Sequence, residues 1–173
     1  AILQSKFGLP IYLHEKDQNQ TGFLVESWPS GLVIEIGPVA QNHYDPVIVE
    51  RFVLILDFIK QINDEFQISK INFPEEITVF VHQFSIDYPR DDEFKINALI
   101  HPQRINQDWN EIKSGDPLFK TITGENINYE WEDSSYPVFI GEAAYIEKKI
   151  AMSFTKKEII KCSEKWIKNF VNT

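Results

Sequence analysis

The sequence predicts an α/β fold, and three features of the chain support this prediction. Residues 32–36 read Leu-Val-Ile-Glu-Ile, a branched apolar run typical of a strand buried on both faces of a parallel sheet. An amphipathic helix is expected from Pro46 to about Phe66. Residues 76–140 contain several short alternating segments separated by turn residues. The chain therefore combines a sheet flanked by helices with a β-rich second part.

The first part begins with a short strand at residues 10–14, and Gly37-Pro38 end the buried strand sharply. Asp45-Pro46 is a strong start signal for the helix, because Asp caps the first backbone amides and Pro fits the first helical position. Apolar residues then recur at spacings of three and four, which predicts a wide face that packs on a sheet. They are Val49, Phe52, Val53, Leu56, Ile59 and Ile62.

The second part follows a connection at residues 67–74. Alternating residues predict a strand at 76–85, and turn chemistry separates further short strands. These are expected at 96–100, 118–123, 127–129 and 136–140. A final helix is expected over Lys156–Val171, where apolar residues recur among lysines.

The net charge, the cysteine count and the distribution of apolar residues argue against several classes of function. The net charge of −9 argues against nucleic acid or an anionic membrane as a partner. The single cysteine, Cys162, excludes an internal disulfide and a CxxC metal site, which is compatible with a reducing cytoplasm. No stretch approaches the roughly 18 apolar residues of a membrane span. The chain starts at Ala1 without a methionine, which suggests a piece of a longer protein.

Glu35 is the most unusual residue of the first part, because it is a carboxylate within a predicted buried strand. Ligands of α/β folds collect at the carboxyl ends of such strands. A carboxyl group buried among Ile and Val side chains would have a raised pKa and could act as a general base or acid. The alternative is a carboxylate that caps the next segment or pairs with a cation. The residues themselves leave both interpretations open.

Other chemical motifs are sparse. The four histidines show no zinc-like spacing, and no GxSxG, P-loop or GxGxxG motif is present. Residues 86–91 are unusual in composition but fit an ordinary turn. In residues 136–149, Tyr145 could offer its hydroxyl to a polar ligand, or it could be an ordinary core aromatic with a satisfied hydroxyl.

Several segments together resemble the family of zinc-dependent succinylglutamate desuccinylases and aspartoacylases, and most closely its cyanobacterial branch. They occur in the order found in that family and extend over residues 31–155. The segments are IEIGP (34–38), DYPRD (87–91), IHP (100–102), QDW (107–109), GDPLF (115–119) and YPVFIGEAAYIEKK (136–149).

The resemblance implies a fold and an activity. Residues 1–67 would be the C-terminal part of a zinc-carboxypeptidase-like domain with a mixed sheet and helices. Residues 68–173 would be a β-rich C-terminal domain, ending in a helix, that covers the active-site mouth. The implied reaction is hydrolysis of an N-acyl-L-aspartate, such as N-acetyl-aspartate, by water bound to Zn²⁺.

The resemblance also assigns roles to three residues. Glu35 matches the catalytic glutamate that takes a proton from this water, Tyr145 matches a substrate-binding tyrosine, and Glu142 matches a glutamate that supports the tyrosine's loop. No metal ligand is implied within the chain, because the HxxE and DLH motifs that bind zinc in the family are missing. The DLNR-like segment that supplies arginines for substrate carboxylates is missing as well. The chain thus resembles the C-terminal half of the enzyme and is expected to be inactive alone.

The chain departs from the family close to Glu35. The family usually has an arginine about ten residues earlier, where it grips a substrate carboxylate, but here residues 23–27 read Phe-Leu-Val-Glu-Ser. The acyl group, the amino-acid specificity and the oligomeric state therefore stay open.

The leading hypothesis is a cytoplasmic zinc amidohydrolase acting on a small N-acyl amino acid, without nucleic-acid or membrane partners and compatible with a homo-oligomer. The alternative is a stand-alone, non-catalytic binding or scaffold module. If the chain is a piece of an enzyme, its half-sheet would have an open edge that another segment or chain must cover.

Overall fold

The computed structural model describes residues 1–14, 33–37, 39, 43–67 and 72–163 of the 173-residue chain. Its helices are α1 (Ile2–Phe7) and α2 (Pro46–Gln67), with short 3-10 turns at Pro102–Arg104 and Ala143–Tyr145. Its strands are β1 (Ile11–Leu13), β2 (Glu76–Ile86), β3 (Ala98–Ile100), β4 (Pro117–Thr121), β5 (Asn126–Asn128), β6 (Tyr136–Val138) and β7 (Met152–Lys161).

The chain divides into two compact units. Unit 1 comprises Ala1–Leu9, Asp17–Ile77 and Lys161–Thr173, and unit 2 comprises Pro10–Lys16 and Thr78–Ile160. Within the described residues, no helix is long and apolar enough to cross a membrane.

Helix α2 of unit 1 begins where the sequence predicts. The Asp45 carboxylate accepts hydrogen bonds from the backbone amides of Val47 and Ile48, at 2.9 and 3.4 Å. Pro46 is the first helical residue, a position where its missing amide hydrogen costs nothing. The end at Gln67 also confirms the predicted length.

The apolar face of α2 is only partly covered by the described residues, and its packing on a sheet stays a prediction. Ile55 is buried, and Phe58 packs edge-on against Phe7 of α1, with ring centroids 5.2 Å apart. Four residues of the predicted face nevertheless remain 42–59% exposed. They are Val49, Phe52, Val53 and Leu56.

The predicted buried strand at residues 32–36 is also wrong for its described part. Residues 33–36 form no strand, Val33 is 65% exposed and Glu35 is exposed, while Ile34 and Ile36 are half-buried. The physical reason is that a strand requires a neighbour for its backbone hydrogen bonds, and no described strand pairs with this segment. Leu32 and Pro38 lie outside the described residues.

Unit 2 is built on two sheets. The larger has the order β1-β2-β7-β6, in which β1 runs parallel to β2 and β6 antiparallel to β7. The smaller has the order β3-β4-β5 and is antiparallel. These strands confirm the β-rich second part and the mixed α/β fold class.

Strand β7 replaces part of the predicted final helix. The prediction of a helix over Lys156–Val171 is wrong for residues 156–161, which belong to the strand, and residues 164–171 lie outside the described part. The physical reason is the position of β7 between β2 and β6, where both backbone edges find partners. Met152 and Phe154 at its start are fully buried.

A core cluster joins the two sheets of unit 2. It takes residues from β3, β4 and β7 and from the loops between strands, so both sheets contribute to it. Its members are Tyr88, Ala98, Ile112, Leu118, Phe119, Tyr129, Ala151, Met152 and Phe154.

Candidate functional site

Three of the segments singled out in the sequence meet in unit 2. The backbone amide of Ile140 donates to the Asp108 carboxylate at 3.2 Å. The amide of Trp109 donates to the carbonyl of Pro137 at 2.9 Å, and that of Ala151 donates to the carbonyl of Ile86 at 2.7 Å. The first two bonds tie residues 136–149 to the loop of residues 107–109. Ala151 links the same segment to the turn that begins at residue 86, because its carbonyl accepts from the amide of Gly141 at 2.8 Å.

The turn at residues 87–91 is held by an internal ion pair. The Arg90 guanidinium donates to both carboxylate oxygens of Asp87, at 2.8 and 3.2 Å, and to the Phe94 carbonyl at 2.9 Å. Asp87 also accepts from the amide of Tyr88 at 2.7 Å. The hydrogen bonds from Arg90 lower the pKa of Asp87, and a weaker contribution comes from the charge of Lys149. The geometry supports the interpretation of this segment as a structural turn.

Tyr145 ends the 3-10 turn in the segment 136–149 and is half-buried. Its amide donates to the Glu142 carbonyl at 3.0 Å, and its carbonyl accepts from Lys148 and Ile150 at 3.0 and 3.1 Å. The ring lies edge-on to Phe139 with centroids 5.6 Å apart, and the Lys148 ammonium lies 5.4 Å from the ring centroid. The Tyr145 ring thus has an aromatic neighbour and a cationic neighbour.

Glu142 precedes the 3-10 turn and contacts it through the backbone. Its carbonyl accepts the bond from Tyr145, while its side chain is exposed and makes no capping hydrogen bond. Its supporting role through the carboxylate stays a prediction.

An aromatic cluster surrounds Tyr12 on β1, and we call it the Tyr12 cluster. Its members are Tyr12, His14, His82, Trp109 and Phe139. The Tyr12 ring lies edge-on to Phe139 at 5.1 Å and to Trp109 at 6.4 Å between centroids. Its hydroxyl is 3.1 Å from Nδ1 of His82. Because Phe139 also contacts Tyr145, the cluster is continuous with the loop that carries the predicted substrate-binding tyrosine.

Both aromatic residues that flank Tyr12 occupy a strained backbone conformation. Trp109 has φ = 67° and Phe139 has φ = 55°, and Lys149 near Tyr145 has φ = 56°. Each such residue costs on the order of 1–3 kcal/mol, and such strain concentrates at functional sites. The sequence gives no sign of this backbone strain, because neither Trp nor Phe favours positive φ.

Glu35 belongs to unit 1, whereas Tyr145 and Glu142 belong to unit 2. Its side chain is exposed, so the apolar burial predicted around the carboxylate is not found. The two neighbours Ile34 and Ile36 are half-buried, so exposed and half-buried residues alternate over residues 33–37 and Glu35 is among the exposed ones.

The residues present do not fit the zinc site that the resemblance implies. Among the described residues, no group of three or more His, Cys, Asp or Glu side chains could hold a metal ion. The HxxE and DLH motifs are likewise missing from the full sequence.

Comparison with known proteins supports the family resemblance. The profile of the AstE/AspA barrel-sandwich hybrid domain matches residues 75–157. A probable aspartoacylase of Prochlorococcus marinus strain MIT 9215 is 59% identical over 172 residues, which are 99% of this chain and 57% of that protein. Over nearly its whole length, the chain resembles probable aspartoacylases. Another probable aspartoacylase, from strain AS9601, is 58% identical over 98% of this chain and 56% of its own length.

Solved structures agree with this family. The crystal structure of murine aminoacylase 3 superimposes with a TM-score of 0.77 at 29% identity, covering 92% of this chain and 53% of that chain. A mutant of the same enzyme gives a TM-score of 0.76 at 28% identity, with the same coverage. The family resemblance read from the sequence is therefore confirmed, and the chain spans somewhat more than half the length of these relatives.

Proposed function

We propose that this chain is the C-terminal part of a zinc-dependent amidohydrolase that cleaves an N-acyl-L-aspartate or a related N-acyl amino acid into a carboxylate and the free amino acid. The observation that carries the proposal is the 59% identity to a probable aspartoacylase over nearly the whole chain. The fold of murine aminoacylase 3 supports the same class of reaction. We also propose a cytoplasmic location, which the single cysteine supports, and a division of the chain into residues 1–67 and 68–173.

Glu35 is the proposed general base and acid. Its carboxylate would take a proton from the water that attacks the amide carbonyl, and it would return the proton to the leaving amine nitrogen. Its exposure in the described segment makes it accessible to water and substrate.

Tyr145 is the proposed substrate contact. Its hydroxyl would donate a hydrogen bond to an oxygen of the substrate, and its ring is already oriented by Phe139 and Lys148. Glu142 would support this contact by fixing the start of the 3-10 turn.

The zinc ion would be bound by residues outside this chain, because the chain's own residues do not fit the site. The exposed apolar face of α2 supports a requirement for further chain. Six of its residues are 42–61% exposed, and burying such a surface is the main driving force for domain assembly. They are Val47, Val49, Phe52, Val53, Leu54 and Leu56.

The intact gene product tests this proposal against the alternative of a non-catalytic module. Its mass, its zinc content and its turnover of a panel of N-acyl amino acids should be measured together. A chain longer than 173 residues with stoichiometric zinc and hydrolysis of one class of substrate is expected. A metal-free product of 173 residues that hydrolyses none of the panel would instead support the binding or scaffold module.

A further inference from the structure

Asp108 links two strained backbone segments of unit 2. Its carboxylate accepts a hydrogen bond from the backbone amide of Ile140 at 3.2 Å. The next residue, Trp109, donates its own amide to the carbonyl of Pro137 at 2.9 Å. These two bonds bracket Phe139, which directly follows β6 and has φ = 55°. The loop of Asp108 therefore holds the backbone on both sides of a conformation that phenylalanine rarely adopts.

The amide of Ile140 needs this acceptor if Phe139 is to keep its positive φ. Ile140 is half-buried, and a partly buried amide that loses its partner favours a backbone that restores a hydrogen bond. The charge of a carboxylate makes it a stronger acceptor than a neutral group. Strained backbone persists only where its surroundings over-determine it. The bond from Asp108 is one such constraint on Phe139.

Phe139 transmits this constraint to Tyr145. Its ring lies edge-on to the Tyr145 ring, with centroids 5.6 Å apart, and edge-on to the Tyr12 ring at 5.1 Å. Because the allowed side-chain rotamers depend on the backbone angles, a change of φ at Phe139 would move its ring relative to both partners. A change at Asp108 would therefore reach Tyr145 through the ring of Phe139.

We propose that Asp108 is a positioning residue for the substrate contact of Tyr145. It acts through the Ile140 amide and the Phe139 ring. This inference rests on the proposed function, in which the Tyr145 hydroxyl binds the substrate. A displacement of about 1 Å caused by a residue far from the reacting atoms can lower the rate by a large factor. The loss of Asp108 is therefore expected to lower kcat/KM as well as stability.

Kinetics of the full-length enzyme test this role. Asp108→Ala removes the acceptor and should lower kcat/KM by about ten-fold. Asp108→Asn keeps an oxygen that can accept from the same amide, so kcat/KM should stay within about two-fold of the unmodified enzyme. In the Tyr145→Phe background, Asp108→Ala should cost less than about two-fold, because the hydroxyl that it positions is already absent.

Asp116→Ala is the matched control. Asp116 is half-buried like Asp108, and its carboxylate accepts from the backbone amide of Lys113 at 2.9 Å. Its removal should lower the free energy of unfolding as Asp108→Ala does, but it should leave kcat/KM unchanged. An equal loss of kcat/KM in both variants would assign the effect of Asp108 to general stability and overturn the proposal. Additive effects of Asp108→Ala and Tyr145→Phe would overturn it as well.

Two magnetic resonance measurements on the full-length protein do not depend on the reaction. With labelled tyrosines, the ring signals of Tyr145 are assigned by their disappearance in Tyr145→Phe. Asp108→Ala should shift these signals, because the ring current of Phe139 moves with its ring, while Asp108→Asn should leave them in place. In the unmodified protein, the Ile140 amide should be protected from hydrogen exchange.

These measurements separate failure of the positioning role from failure of the proposed function. An unprotected Ile140 amide, or unshifted Tyr145 signals in Asp108→Ala, overturns the positioning role even if the protein hydrolyses an N-acyl amino acid. Shifted signals in a protein that hydrolyses none of the panel would support the positioning of the Tyr145 ring and refute the proposed function.

Discussion

At the level of single residues, the Asp87–Arg90 pair shows how a charged turn stabilises unit 2. Asp87→Asn removes the charge that Arg90 binds through two hydrogen bonds. Because the two side chains are 27% and 25% exposed, we expect the free energy of unfolding to fall by about 1 kcal/mol at pH 7. Urea denaturation measures this change, and Asp92→Asn in the same exposed turn is the control, with an expected change within about 0.5 kcal/mol.

The same pair predicts a pH dependence. Hydrogen bonds from Arg90 hold the pKa of Asp87 below its ordinary value of 3.8. The unfolded chain therefore binds more protons than the folded chain as the pH falls below about 4. The stabilisation is present above this pH and is lost as the pH falls through the folded pKa. The difference between the unmodified chain and Asp87→Asn should shrink accordingly, and an equal difference at pH 7 and pH 3 would contradict the assignment.

Tyr145 allows a second test at the residue scale. In the full-length enzyme, Tyr145→Phe keeps the ring that contacts Phe139 and removes only the hydroxyl. Loss of one hydrogen bond to the substrate should lower kcat/KM by about ten-fold. Tyr44→Phe is the control, because Tyr44 is 95% exposed. An unchanged kcat/KM for Tyr145→Phe would remove this residue from the site.

At the level of elements, the sequence predicts a helix or strand correctly where residues close together in the chain determine it. Asp45-Pro46 marks the start of α2, and alternation locates β2, because capping and period-two patterning act over a few residues. Residues 156–161 of β7 are predicted as a helix because the apolar pair Ile159 and Ile160 fits a helical face, whereas in the strand only Ile160 of the two is half-buried. The Thr155 hydroxyl bonds to the Tyr136 carbonyl at 2.7 Å, a partner that only the folded sheet supplies.

Two positions in β7 distinguish the strand from the predicted helix. Phe154 is fully buried, so Phe154→Ala should lower the free energy of unfolding by about 3–5 kcal/mol. Ile159 is 63% exposed in the strand, although the helical pattern would place it inside. Ile159→Ala should therefore cost less than about 0.5 kcal/mol. Chemical denaturation of both variants measures the contrast, and comparable losses for the two would argue against this strand.

At the level of the whole molecule, the sequence predicts the family resemblance and its motifs better than the contacts and burial of the motif residues. The segment around Tyr145 stands out by its composition and the segment around Asp108 through the family resemblance, and the structure joins them through hydrogen bonds of Ile140 and Trp109. The Tyr12 cluster was missed, because its members are far apart in the chain and two of them adopt positive φ without a glycine. The burial of Glu35 was mispredicted, because an apolar run becomes a buried strand only when other strands flank it.

The last prediction concerns the reaction of the full-length protein. Glu35→Gln preserves the shape of the side chain but removes the group that accepts a proton from water. If Glu35 is the general base and acid, kcat should fall by about 10²–10⁴-fold, while the melting temperature and zinc content stay unchanged. Glu50→Gln, at an exposed position of α2, should keep full activity. A near-normal kcat for Glu35→Gln would show that another group carries the proton, because an uncharged amide cannot accept it at neutral pH.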